Sequence, residues 1–415
     1  MTRPKHVLAF ALALAVLVAT VASSASARTD KAGGSKAVTV TIWDFFVNSP
    51  KERAALMRVA DAWAKKTGNK VVNPGDVADS LTKYPLAARG GRGPDVIQFP
   101  HDNLGRFAAA GVIGSSPSGF AIDRSLYAPV ATQAITYKGK IWGLPIARES
   151  TFLFYNKALI AKPPKTWGEL ITAAKKLTSG DQYGFLWAPA DFYYDYAFIG
   201  GYGGFVFEST KAGFNGRRLG LATPGAIAGF QLIQDLVRKH NLVPATTNYD
   251  IMDGKFGSGQ AAMIINGPWG VQNYAAKKIN FGVAPLPTLP NGKAPTPFVG
   301  VQMLGVNSRS KNAQAAWDLV RYLSINLPLP LYRASGRVPA TVAASNAKIV
   351  KANPVTQVVI ASSNKGQPMP NIPEMSAVWT PAAAVLQLLV KGEVTAREAA
   401  VQMTNQIAKA ISEQG

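Results

Sequence analysis

The chain has 415 residues, 47% hydrophobic and 16% charged, with 38 Gly and 28 Pro spread without a period, which excludes a mainly disordered or collagen-like polypeptide. It has no cysteine, which excludes disulfides, thiol nucleophiles, iron–sulfur clusters, cysteine zinc sites and a lipid-acceptor cysteine; the three histidines, His6, His101 and His240, have no metal-site spacing. The 44 Lys and Arg outnumber the 23 Asp and Glu for a formal charge of +21, but they are scattered in pairs such as Lys65-Lys66 and Arg217-Arg218, the pattern of a solvated basic surface rather than a nucleic-acid groove, with an acidic ligand left open.

At the N-terminus Arg3 and Lys5 precede an apolar run from Val7 to Val18, followed by Ala25-Ser26-Ala27. A basic start, an apolar run too short for a comfortable membrane span and small residues at a cleavage site describe a signal peptide over 1–27, an uncleaved anchor being the alternative. Residues 28–36 read as a flexible lead-in. The expected location is extracytoplasmic, in a periplasm or outside the cell.

Beyond residue 36, β-branched and aromatic runs alternate with helix-period segments, so the fold class is α/β. Ala37 to Trp43 alternates as a strand, and Ser49-Pro50-Lys51-Glu52 predicts a capping box opening a helix that Gly68 ends. Thr166 with Glu169 and Thr395 with Glu398 repeat the box, while Thr223-Pro224 and Thr380-Pro381 place a capping hydroxyl before a proline. Further strands are expected at Asp95 to Phe99, Ile141 to Ile146, Phe152 to Tyr155, Ala261 to Ile265, Phe281 to Pro285 and Met303 to Val306.

In an open α/β sheet ligands collect beyond the strand ends, on polar and aromatic loops. Here that selects Phe99 to Asn103, Arg148-Glu149, Asn266 to Trp269, and Trp379. Aromatic faces beside carboxylates suit carbohydrate, whose rings carry an apolar C–H face and vicinal hydroxyls. Each residue also has a plainer reading. Phe99 ends a core strand, the two tryptophans are ordinary core types, Asp102 fits a turn cap and Glu149 fits a pair with Arg148.

At these residues the sequence resembles the maltose/maltodextrin-binding proteins that feed ABC importers. The blocks that carry the resemblance are Gly93-Pro94-Asp95 with His101-Asp102, Tyr137 to Lys140, Pro145-Ile146-Ala147 with Glu149, Tyr155-Asn156-Lys157 with Pro163 to Trp167, Ile265 to Trp269, Pro297 to Val301, and Met369 to Pro373 with Met375-Ser376-Ala377 and Trp379. They run in order through nearly all of the sequence beyond residue 40. The resemblance implies a two-lobed periplasmic-binding-protein fold, with 37–147 plus 302–345 as one α/β lobe and 148–301 plus 346–415 as the other. It implies about three crossing segments at the hinge, near Ala147, Val301 and 340–348.

The implied function is capture of a maltodextrin-like α-glucoside in the interlobe cleft and delivery to a membrane permease, by a non-enzymatic monomer that needs no cofactor and binds no nucleic acid. Carried over, Phe99 and Asp102 are first-lobe sugar contacts and Glu149 a hydroxyl-binding carboxylate near the hinge. Tyr193, Trp269 and Trp379 are second-lobe stacking aromatics, with Tyr194 as an alternative to Tyr193, and Asp191 stands where the family has glutamate. The sequence departs from the pattern at Val47, Asn48, Leu81, Thr82, Asn103 and Ala383, where the family has charged residues. Such losses, at roughly 1.5–3 kcal/mol per charged hydrogen bond, leave room for another sugar such as trehalose or an acidic oligosaccharide. A glycoside hydrolase using Asp102 and Glu149 as its carboxylate pair is the alternative of a different class, and an envelope-adhesion module using the positive charge is a further one.

Overall fold

A computed structural model of the protein describes residues 37–46, 49–75, 77–211 and 213–414. The signal peptide and lead-in expected over 1–36, and Val47 and Asn48, lie outside the described residues. The main strands, in chain order, are β1 (Thr39–Trp43), β2 (Lys70–Val72), β3 (Val96–Pro100), β4 (Leu144–Ser150), β5 (Phe152–Asn156), β6 (Phe205–Thr210), β7 (Gly213–Gly220), β8 (Met263–Asn266), β9 (Phe281–Ala284), β10 (Phe298–Asn307) and β11 (Val338–Pro339).

The large sheet runs β11-β4-β10-β3-β1-β2. Its β1–β2 and β1–β3 pairs are parallel, and β10 lies antiparallel between β3 and β4. A second sheet, β8-β5-β9, is antiparallel throughout. Only Thr151 separates β4 of the first sheet from β5 of the second. Every residue of β4 and β10 is buried, as expected of strands covered on both faces.

Two large hydrophobic cores form. One gathers apolar residues from 40–147 and 303–331, among them Ile42, Trp63, Phe99 and Leu304; the other gathers them from 152–298 and 338–407, among them Phe154, Trp187, Phe298 and Leu386. Strand β10 serves both, with Phe298 in one core and Met303 in the other. Among the described residues no helix is long and apolar enough to cross a membrane.

Most of the expected strands form, with two differences. The segment expected as one strand over 141–146 is broken at Trp142-Gly143: Lys140–Ile141 pairs with Thr136–Tyr137, and β4 starts afresh at Leu144. The β6–β7 hairpin was not expected, because β7 reads Gly-Phe-Asn-Gly-Arg-Arg-Leu-Gly, a composition of turns rather than strands.

Helix starts follow the capping chemistry where the side chains are free to perform it. Thr395 and Glu398 make a complete capping box, Thr223 and Thr166 accept from the backbone N–H three residues on, and Gly68 ends its helix at φ 75°. Two expected caps are absent. Neither half of the box forms at Ser49: the Glu52 N–H donates to the Ser49 carbonyl rather than its hydroxyl, and the Glu52 carboxylate turns to Arg337. Thr380 is not a cap because the chain is already helical at Val378, and the helix begins at Trp379.

His101, fully buried, ties the sheet to the segment after the helix Pro354–Lys365. Its Nδ1 accepts from the Val301 N–H at 3.1 Å, so its Nε2 carries the proton and donates to the Met369 carbonyl at 3.0 Å. Burial pulls its pKa down to about 4, so the ring is neutral near pH 7. His101→Ala strands both backbone groups, and urea unfolding at pH 7 is expected to show a loss of about 2–4 kcal/mol. A loss below about 1 kcal/mol would mean that the tie is not structural.

Candidate functional site

Successive strand residues point to opposite faces, so Arg148 and Glu149 on β4 cannot pair with each other. Glu149 instead accepts from Gln302 Nε2 at 3.0 Å and from Arg337 Nη1 at 2.6 Å. Arg337 Nε donates to Glu52 at 2.5 Å, completing a buried carboxylate–guanidinium–carboxylate triad. On the other side Gln302 accepts from Gln98 Nε2, whose own carbonyl oxygen accepts from the Phe45 N–H. Burial alone would lower the pKa of Arg337, but Glu149 and Glu52 outweigh it and hold the guanidinium above its usual value. Position 300, paired with Glu149 in the ladder, must be small: a Cβ there would lie 2.9 Å from Glu149 Cγ.

Asp102 sits on a single helical turn, His101–Asn103, directly after β3, and is 9% exposed. Burial raises its pKa to about 7, against the opposing pull of a backbone N–H, Arg106, Trp379 and the Asn103 amide. Asn103 donates to Asp102 at 3.3 Å and accepts from Arg106 at 2.7 Å. The Arg106 guanidinium, one turn further along the chain, favours the charged form of Asp102.

An aromatic cluster centres on Phe298 at the start of β10. Tyr196 stacks on it at 3.7 Å and 2°, while the rings of Tyr193 and Trp379 each lie 6.2 Å away. Trp269 lies 6.1 Å from Tyr193 and folds back over Gly267, where a Cβ would fall 2.1 Å from its ring. Trp269, Trp379 and Tyr193 are half-buried, so each keeps part of its surface open.

The two neighbouring tyrosines have different tasks. Tyr194 donates its hydroxyl to Asn266 at 3.2 Å and is tied into the core. The Tyr193 hydroxyl is buried with no partner among the described residues, and burial, then Glu149, Asp102 and Asp191, hold its pKa far above the usual value. Asp191 caps the helix Phe192–Gly201, accepting from the Tyr193 N–H at 2.9 Å, and so fixes where that tyrosine points.

Six of the residues singled out in the sequence therefore share one neighbourhood: Asp102, Glu149, Asp191, Tyr193, Trp269 and Trp379. Phe99 does not join them. It is fully buried, packs edge-on against Phe107 at 5.0 Å and fills the space beside Gly305, because its place on a central strand turns the ring into the core. Sequence reasoning missed Arg337, Glu52, Gln302 and Phe298. No local signal marks Arg337, whose carboxylate partners are 285 and 188 residues away.

Arg337→Met leaves two buried carboxylates without their cation, and denaturant unfolding is expected to show about 3–5 kcal/mol of destabilisation; a change under about 1 kcal/mol would discount the triad. The Asp102 carboxyl is protonated more readily in the folded protein than in the unfolded chain. Its contribution is therefore complete below the ordinary carboxylate range near 3.8 and is lost as pH rises through about 7. Thermal unfolding of the unliganded protein at pH 4.5, 6 and 8 should show wild type losing ground to Asp102→Asn as pH rises. A difference that stays flat over that range would contradict the assignment.

Residues 48–324 match the family described as bacterial extracellular solute-binding protein. The chain is 31% identical, over 94% of its length and 93% of the relative's, to a galactooligosaccharide-binding protein of Bacillus subtilis. It is 32% identical to a maltooligosaccharide ABC transporter solute-binding lipoprotein of Streptococcus pneumoniae, over 84% of each. Among solved structures, the maltose-maltodextrin binding protein of Alicyclobacillus acidocaldarius superposes with a TM-score of 0.81 at 35% identity, covering 89% of this chain and 99% of that one. The fold is thus the two-lobed periplasmic-binding fold, and the chain belongs to the bacterial extracellular solute-binding protein family.

Proposed function

We propose that this protein is an extracytoplasmic receptor that captures a neutral oligosaccharide between its lobes, 37–147 with 302–345 and 148–301 with 346–415, and delivers it to the permease of an ABC importer. The observation that carries the reading is the Tyr193 hydroxyl, buried without a partner beside Glu149 and Asp102 and flanked by half-buried indoles. A phenol left unsatisfied costs free energy until a hydroxylated ligand supplies its hydrogen bond, while the indoles offer faces to sugar rings. The names of the relatives support an oligosaccharide as the ligand class. Residues 1–27 are the signal peptide in this reading, and Phe99 has no direct part.

The carboxylates act as acceptors for sugar hydroxyls. Glu149 has both oxygens engaged by Gln302 and Arg337, which leaves it a fixed acceptor rather than a mobile acid or base. This engagement supports the reading of the protein as a binder rather than a hydrolase. Closure of the lobes on the ligand requires that it touch groups from both, which Asp102 from one core and Trp379 and Tyr193 from the other provide.

The test is calorimetric titration of the mature protein with maltotriose, a galacto-oligosaccharide, trehalose and an oligogalacturonide. Saturable binding of a neutral sugar is expected, with Trp269→Ala and Trp379→Ala each weakening it roughly 10–100-fold, or about 1.4–2.8 kcal/mol. Salt-sensitive binding of the acidic sugar alone would overturn the neutral-ligand reading, and release of reducing sugar from maltotriose would overturn the non-enzymatic one.

A further inference from the structure

Behind β4, on the face opposite Glu149, lies a solvent-open pocket of about 330 Å³. Arg148 reaches it from β4, and Ser345, Asn346, Lys351, Gln357 and Asn364 line it from the chain between residues 342 and 365. No carboxylate lines this cavity.

Arg148 is 6% exposed, and its Nε is buried without a hydrogen-bond partner. It stands apart from the other buried ionisable side chains among the described residues. Asp44 is held by Arg53, Glu52 and Glu149 by Arg337, Asp102 by Asn103, Asp195 by Trp187, and His101 by two backbone groups. Among the described residues Arg148 has neither an acid nor an acceptor. Burial pulls its pKa down with no opposing carboxylate to restore it, whereas Arg337, on the other face, is held up by two. A guanidinium is planar, stays charged at neutral pH and presents a fork of donors that matches two oxygens of one anion. The exposed amides of Asn346 and Asn364 and the ammonium of Lys351 bring donors to the same space, while Gln357 Nε2 donates to the Val350 carbonyl at 3.4 Å.

We propose that this cavity is a binding site for a small oxyanion, a phosphate or a carboxylate, with Arg148 as its principal ligand-binding residue and Lys351 as a second cation at its mouth. The site is separate from the sugar site, because β4 lies between them and Glu149 is committed to Arg337 on the far face.

The test is isothermal calorimetry and thermal unfolding of the mature protein in a zwitterionic buffer, with inorganic phosphate in one arm and acetate in the other, sodium chloride holding ionic strength constant. A saturable heat and a rise in melting temperature with at least one anion are expected, and which arm responds tells phosphate from carboxylate. Arg148→Met should abolish the response and Lys351→Ala should weaken it several-fold with an unchanged far-ultraviolet circular dichroism spectrum. Arg397→Met, an exposed arginine outside the cavity, should leave it intact. A response that chloride reproduces, that survives Arg148→Met, or that is equally lost in Arg397→Met would overturn the proposal, as would no response to either anion. If Arg148→Met does not fold, Lys351→Ala decides: unchanged affinity there overturns the site.

Discussion

The guanidinium of Arg337 is shared by Glu52 at the start of the first long helix and Glu149 on β4. Three stretches of chain far apart in sequence meet at it, and the polar line from Phe45 through Gln98 and Gln302 ends there. Two charges brought out of water are tolerated when the geometry satisfies both, and removing one partner leaves the other stranded. That asymmetry makes the triad a constraint as well as a contact. Glu52 gives up its cap to join it, residue 300 must be glycine to admit the Glu149 side chain, and the phenol of Tyr193 lies in its field.

The two faces of β4 use the same alternation to opposite ends. On one face, Glu149 is fully engaged, and the oxygens that it offers are fixed in direction. On the other, Arg148 is buried beside polar side chains that do not neutralise it. A strand covered on both sides would ordinarily carry apolar residues throughout. Two adjacent charged residues in the middle of such a strand are affordable only because one finds its partner within the protein and the other opens onto a cavity.

Much of the scaffold was legible because its signals are local. Thr223, Thr395 and Gly68 act within one helical turn, and the apolar runs of β1, β5 and β8 differ from their turn-forming flanks over a few residues. The β6–β7 hairpin escaped because Gly213 to Gly220 carries turn residues, and the Glu52 half of the box at Ser49 is absent because its carboxylate has a long-range use at Arg337. At the site, Asp102, Glu149, Tyr193, Trp269 and Trp379 were reached through the resemblance of ordered blocks. Arg337 was not, since nothing near it in sequence marks what it touches, and Phe298, though inside the block Pro297 to Val301, was not singled out. Phe99 shows the reverse error: its place at a strand end and the resemblance suggested a sugar contact, but the alternation of the strand sends its ring into the core.

Strand β10 lies between β3 and β4, yet it follows them in the chain by the whole first stretch of the second core. A nascent chain that ends before residue 298 has β3 and β4 without the strand that joins them, and lacks the 303–331 segment that covers Ile97, Phe99 and Ile146. Contacts of such sequence separation close late and slowly. Emergence from the ribosome therefore leaves the first sheet incomplete until residue 298 and beyond, and the order of the strands sets how long the chain stays open before that sheet can close.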